Sequence, residues 1–235
     1  MTGLSFDENK DDLEARILTQ FQNRGYLTAV IDNLDIKVLD PLASPRPARL
    51  EATVTDGSLC RFSAIDFNDN HAFSSATLRA KFPAKNGDVF KRAKIVGGFQ
   101  ALHKLYSSRG YLDSSFTPNL IFDSLVNLKI DVREGPQYRM GSLEIVGSPE
   151  LAEKLQTRWN LHPGSVFNGD YLGTFVDKNH LLLPTDFTVA DSAALIKDCP
   201  AATVSVHLYL TYDPQHEAQD RTKVVNCPKN DENRE

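Results

Sequence analysis

Apolar and polar side chains alternate at three places in this chain, and the three places are in register. In the stretch from Lys91 to Gly135, Ile95, Phe99, Leu102 and Tyr106 recur at helical spacing until Arg109-Gly110-Tyr111. An extended segment from Leu112 to Phe122 follows, then a short turn and the alternation Val126, Leu128, Ile130, Val132. Asn127, Lys129, Asp131 and Arg133 lie between those four, so this strand has one apolar and one charged face. Shifted forward by 78 residues, the four apolar positions land on Val204, Val206, Leu208 and Leu210. Shifted back by the same interval, they land on Ala48, Leu50, Ala52 and Val54. The terminators Asp56-Gly57, Glu134-Gly135 and Tyr212-Asp213 keep the register, and Ile65 and Phe67 match Leu143 and Ile145. Gly87-Asp88-Val89-Phe90 matches Gly164-Ser165-Val166-Phe167 at a shift of 77. Alternation alone is common; alternation in register at three places is the mark of a repeat of roughly 75 to 80 residues.

Taken in order, the chain divides into residues 1–57, a truncated unit of helix plus hairpin; 58–135 and 136–213, two complete units; and 214–235, a polar tail without periodicity and expected to be mobile. Ser5-Phe6-Asp7-Glu8 has the form of a capping box ahead of Leu13, Ile17 and Phe21. Pro41, Pro45 and Pro47 rule out a strand and mark a hairpin loop. Ser74 is placed to cap a short helix carrying Leu78 and Phe82, and Ser148-Pro149 to start another carrying Leu151, Leu155 and Trp159. A further helix is expected from about Asn168 to Leu183. Gly97-Gly98 inside the long helix costs about 1 kcal/mol per glycine, which close packing against a neighbour would explain. Each complete unit reads strand, helix, helix, strand, strand. That order predicts an α+β fold: tandem βααββ domains, each a three-stranded mixed sheet packed on two helices. The units meet at Gly57-Ser58 and Gly135-Pro136, short junctions where few contacts and some variation in angle are expected.

Composition narrows the function. Net charge is −5, and the basic cluster Lys91, Arg92, Lys94, Lys104 reads as a solvated helix face, so nucleic acid is not an expected partner. No apolar run approaches the ~20 residues of a membrane-spanning helix. No signal peptide follows Met1, and Met1 sits where the middle of a unit belongs, so the chain is expected to be a piece of a longer polypeptide. Nothing in the sequence has the spacing of a catalytic motif. The six histidines show no ligand spacing, and no cofactor is expected. Asp66 to Asn70 resembles the start of an EF-hand loop, but His71 stands where glycine is required and Thr77 where glutamate is. The chain is therefore not expected to be an enzyme; a hydrolase on an α+β repeat is the alternative from another class.

The unit order, Arg109-Gly110-Tyr111-Leu112, Val132-Arg133-Glu134-Gly135-Pro136 and Tyr138-Arg139-Met140-Gly141 together resemble POTRA repeats. These are the polypeptide-transport-associated domains of outer-membrane protein assembly factors of the BamA and TamA type. The resemblance covers roughly residues 5 to 213 and departs from the pattern in the third unit, where Asn179-His180-Leu181 replaces Arg-Gly-Tyr. It implies a periplasmic location as part of an outer-membrane protein. It also implies unfolded outer-membrane proteins or peptides and assembly accessory proteins as partners, and a C-terminal β-barrel elsewhere in the full-length protein. The alternative within the binding class is the scaffold of a dedicated secretion or translocation system. In the oxidising compartment so implied, Cys199 and Cys227 are expected to pair; small hydrophobic roles without redox meaning remain the other reading.

One edge strand follows from chemistry alone. Proline lacks an N–H and is tolerated mainly at sheet edges, so Pro118 places the segment Ser115, Phe116, Thr117, Asn119, Leu120, Ile121 and Phe122 at an edge. An edge exposes unpaired backbone groups with which an incoming extended chain can pair whatever its sequence. Clients are therefore expected to add as strands at 115–122, and by analogy near 30–38 and 187–194.

Overall fold

A computed structural model describes residues 10–40, 42–44, 47–122 and 125–210. They fall into two compact units. One is built from the residues up to Ala101 together with Phe116–Val132, the other from Leu102–Ser115 together with the residues from Arg133 onward.

The first unit opens with helix α1, Lys10–Gln22, which buries Leu13, and continues into the hairpin of β1, Val30–Val38, and β2, Ala48–Thr55. The two strands pair antiparallel, with Leu34 opposite Ala52 and Ile36 opposite Leu50, so their apolar residues share a face. The expected capping box at Ser5–Glu8 lies outside the described residues. A three-stranded sheet follows, made of β3, Phe62–Asn68, β4, Ser115–Phe122, and β5, Val126–Arg133, in the order β3-β5-β4. β3 and β5 are parallel, with Ile65 opposite Leu128 and Phe67 opposite Ile130. Alternation along β5 is complete: Val126, Leu128, Ile130 and Val132 are buried, while Lys129 and Arg133 are exposed.

Helix α2, Ser75–Arg79, starts as its sequence requires, with the Ser74 side chain accepting the Thr77 N–H at 3.2 Å. Helix α3, Arg92–Ser107, begins in this unit. A chain of rings crosses the layer from sheet to helices and back: Phe67 to Phe82 at 6.1 Å, Phe82 to Phe99 at 5.6 Å, Phe99 to Phe116 at 6.5 Å between centroids. Gly98 lies directly against the Phe82 ring, which leaves no room for a Cβ. The packing reason expected for the glycine pair therefore holds for Gly98 alone. Gly97 is exposed with open space around it, and nothing in the structure explains it.

The second unit repeats the plan. Its sheet has β6, Arg139–Val146, β7, Ala193–Asp198, and β8, Thr203–Tyr209, in the order β6-β8-β7, parallel between β6 and β8 and antiparallel between β7 and β8. Val204, Val206, Leu208 and Leu210 are buried. They join Met140, Leu155, Trp159, Phe167, Leu172 and Phe175 in one core, supplied in part by helices α4, Pro149–Gln156, and α5, Tyr171–Asn179. Pro149 takes the first helical position as expected, but the Ser148 side chain makes no capping bond. The α5 helix is shorter than the expected 168–183. Asn179 is buried at its end, accepting from Arg158 at 3.1 Å and donating to the Phe175 carbonyl at 2.8 Å, and the chain turns there. The fold is α+β throughout, three-stranded mixed sheets on helices. The tail from residue 214 lies outside the described residues.

Candidate functional site

Strand β4 lies at an edge of its sheet, with β5 on one side and, among the described residues, no strand on the other. Phe116 is half-buried on the helix side, and Thr117, Pro118, Asn119, Leu120 and Ile121 are exposed, Leu120 by 42% and Ile121 by 46%. Ser115 starts the strand, half-buried, and the backbone of Phe122 ends it. On the open face of the sheet the Asp131 carboxylate accepts from Asn119 at 2.7 Å and from Asn68 at 2.8 Å, a polar tie across all three strands. The tie links the side chain of Asn119 in the edge strand to the central strand. β1 occupies the analogous range, residues 30–38. The third analogous range is corrected: Val189–Ser192 is a helical turn, α6, capped by Thr188, whose hydroxyl accepts the Asp191 N–H at 3.1 Å. The strand begins at Ala193 and ends at Asp198, so most of 187–194 is not strand. An N-cap threonine at that point outcompetes extension.

The junction residues Gly57 and Gly135 both adopt positive φ, +71° and +70°. Ser58 is exposed and its carbonyl accepts from the Cys60 thiol at 3.5 Å; Pro136 is exposed. Near each of these points, within one unit, a helix-end turn meets the chain that follows the junction glycine. Each helix-end turn is hydrogen-bonded to a residue just ahead of the next strand, Cys60 before β3 and Tyr138 before β6. In the first unit Tyr26 N–H returns to the Phe21 carbonyl at 3.0 Å, closing the turn through Gly25 at φ +101°. The Gly25 carbonyl then accepts from Cys60 N–H at 2.8 Å, and the Cys60 carbonyl accepts from Phe90 N–H at 3.0 Å. In the second unit Tyr111 N–H returns to the Tyr106 carbonyl at 3.0 Å; the Gly110 carbonyl accepts from Tyr138 N–H at 2.8 Å, and the Tyr138 carbonyl from Phe167 N–H at 2.9 Å. Gly110 is required twice, by its φ of +83° and because a Cβ would lie 2.6 Å from the Tyr138 carbonyl oxygen. Even the side chains repeat: Arg61 donates to the Gly87 carbonyl and Arg139 to the Gly164 carbonyl, both at 2.8 Å.

The second of these ladders carries a side-chain brace that the sequence did not reveal. The Tyr138 hydroxyl donates to Asp113 at 2.6 Å, the Lys197 ammonium pairs with the same carboxylate, and Lys197 lies 5.8 Å from the Tyr138 ring centroid. Burial acts to raise the Asp113 carboxyl, but the hydrogen bonds from Lys197 and Tyr138 outweigh it and hold the group below its ordinary value. Burial and then the bond to Asp113 push the Tyr138 phenol up. Of the cysteines, Cys60 is free. Cys199 sits half-buried with its Sγ 3.0 Å from the Tyr138 hydroxyl, and its expected partner Cys227 lies outside the described residues.

Among the described residues no group of three or more His, Cys, Asp or Glu is placed to hold a metal ion, and no helix is long and apolar enough to cross a membrane. What the chain presents is an edge strand and two hydrogen-bonded turns. Residues 60–135 match the family described as POTRA, surface antigen variable number repeat. This segment is a POTRA domain. A Treponema pallidum (strain Nichols) protein described as an outer membrane protein assembly factor is 30% identical over 133 residues, covering 51% of this chain and 16% of that protein. The chain thus spans about a sixth of that relative's length. The crystal structure of POTRA3-5 of Haemophilus influenzae BamA superposes with a TM-score of 0.66 over 90% of this chain and 82% of the other, at 18% identity. At that identity the likeness is one of POTRA fold.

Proposed function

We propose that this chain is the periplasmic POTRA region of an outer-membrane assembly factor, and that it docks unfolded outer-membrane proteins by β-strand addition at β4. On this reading residues 58–135 and 136–213 are two POTRA domains, residues 1–57 are part of a third, and the full-length protein continues into a C-terminal β-barrel. Accessory assembly proteins are further partners.

The observation that carries the reading is the POTRA match over 60–135, within a chain that shares 30% identity with a protein described as an outer membrane protein assembly factor. The β4 edge supplies the physical means. Unfolded barrel precursors have in common alternating strands rather than any motif, and backbone pairing recognises a strand without reading its side chains. Few side-chain contacts give weak, reversible handling, which suits a chain that must pass its client on.

A photo-crosslinking residue at Thr117 tests this. A urea-unfolded outer-membrane barrel protein, diluted into buffer with the chain, is expected to crosslink there and less so once it has folded in detergent. Equal crosslinking to folded and unfolded barrel, or none to either, sinks the reading.

A further inference from the structure

We propose that Cys199 and Cys227 form an exchangeable disulfide, and that Tyr138, Asp113 and Lys197 make a place for Cys199 as a released thiol. A thiol reductant thereby latches or unlatches the second unit. This goes beyond strand addition and does not depend on it. From the reading above it takes only the oxidising compartment.

Cys199 is disulfide-bonded, whereas Cys60 is free and donates its thiol to the Ser58 carbonyl at 3.5 Å. The chain has three cysteines, so Cys227 is the one left as partner. Cys199 directly follows β7 and packs half-buried against the core of the second unit, with Sγ 3.0 Å from the Tyr138 hydroxyl oxygen. Protons decide what that contact can be. The phenol has one, and at 2.6 Å it goes to Asp113. Lys197 pairs with the same carboxylate and keeps it a charged acceptor. A disulfide sulfur has no proton to give. In the bridged state neither atom of the contact donates to the other.

Reduction changes this. A Cys199 thiol donates to the phenol oxygen already beside it and completes a row: thiol to phenol, phenol to carboxylate, ammonium to the same carboxylate. The reduced form gains a bond in a row whose members polarise one another. A disulfide whose reduced form is favoured in this way is easier to reduce.

The reductant is a dithiol. Its thiolate attacks Cys227 Sγ, the bond between the two cysteine sulfurs breaks, and Cys199 leaves with the electron pair and takes up a proton from solvent. The second thiol of the reductant then attacks its own sulfur in the mixed disulfide. The reductant closes to a disulfide, and Cys227 leaves and is protonated in turn. Two electrons and two protons pass to the bridge. Attack at Cys227 makes Cys199 the leaving group, the sulfur whose thiol has an acceptor waiting. The loop so opened contains β8, the central strand of the second sheet. Opening it lifts a constraint on the unfolded chain, so the second unit loses stability under reductant.

The test uses the whole chain carrying Cys60→Ala, equilibrated in glutathione buffers of graded reduced-to-oxidised ratio, quenched in acid, alkylated and mapped by mass spectrometry. In the most oxidised buffer a linked Cys199–Cys227 peptide pair is expected; two free thiols there overturn the bridge. Tyr138→Phe keeps the ring and removes the acceptor, and should make the bridge about threefold to tenfold harder to reduce. An unchanged or more easily reduced bridge overturns the part given to Tyr138. Lys197→Met leaves the phenol oxygen in place and should move the equilibrium less; an equal or larger shift would mean that general loosening is the cause, and overturns it too. If Tyr138→Phe does not fold, infrared spectra of the reduced Cys60→Ala chain carry the test. The S–H stretching band lost in Cys199→Ser is expected at lower frequency than the band that remains, and coincident bands overturn the hydrogen bond. No outer-membrane client enters these measurements, so their failure and the failure of strand addition are separate results.

Discussion

Strands β2 and β5 carry the same apolar alternation, yet Leu50 is 38% exposed and its counterpart Leu128 is 0% exposed. The difference lies outside both strands. β5 is central, with β3 parallel on one side and β4 on the other, and the ring chain from Phe67 to Phe116 spans its helix-side face. β2 has one neighbour, β1, and the helix that packs on this hairpin, α1, contacts β1. A two-fold pattern says which face of a strand seeks cover; what supplies the cover is non-local.

The largest expected effect breaks this pair apart. Leu128→Ala should cost about 2–5 kcal/mol of unfolding free energy in urea, whereas Leu50→Ala, already half in water, should stay within about 0.5 kcal/mol. Similar losses at the two positions would show that the hairpin face is covered in solution. The adjacent glycines of α3 sharpen the same contrast. Gly98→Ala drives a methyl into Phe82 and should destabilise by about 1–3 kcal/mol, since an overpacked core must shift. Next comes Asp113→Asn, which weakens bonds from Lys197 and Tyr138 and should cost about 1–2 kcal/mol near neutral pH.

The sign of its pH dependence follows from the depressed carboxyl. A group whose folded pKa lies below its unfolded value contributes stability above the unfolded value, and that stability is lost as pH falls through the folded one. The native chain should therefore lose more stability between neutral and strongly acidic pH than Asp113→Asn, with the two curves converging in acid. Parallel curves would remove the brace from the account. Smallest is Gly97→Ala, expected to stabilise by about 0.5–1 kcal/mol because its site is open and helical. A loss there would show that something covers Gly97.

Much of the fold was legible in the chain. The registered alternation located both central strands, Ser74 announced the start of α2, and Pro118 placed β4 at an edge. These signals are local: a period, a cap, a missing N–H. The brace of Asp113, Tyr138 and Lys197 was not legible, because Asp113 and Lys197 lie 84 positions apart and neither occupies a periodic position. The shift of the third edge to Ala193–Asp198 was hidden for a related reason. Once Asn179-His180-Leu181 replaces the glycine turn, the interval that carries the analogy from one repeat to the next no longer holds. Arg61 and Arg139 were in register all along, 78 residues apart, and a search for repeated polar positions would have found the pair.

The turn through Gly110 closes α3 and, with the same carbonyl, starts the pairing that organises Tyr138 and Phe167. A cut at residue 135 therefore does not release a self-sufficient piece. The upstream fragment keeps the carbonyl of Gly110 and the carboxylate of Asp113; the downstream fragment keeps the groups that bind them. Recombination that shuffles such repeats whole would do best to carry residues 102–115 along with the sheet that follows, so that the inheritable module takes the preceding helix end together with the visible repeat. A piece beginning at 136, mixed with a peptide of residues 102–115, should fold better than the piece alone.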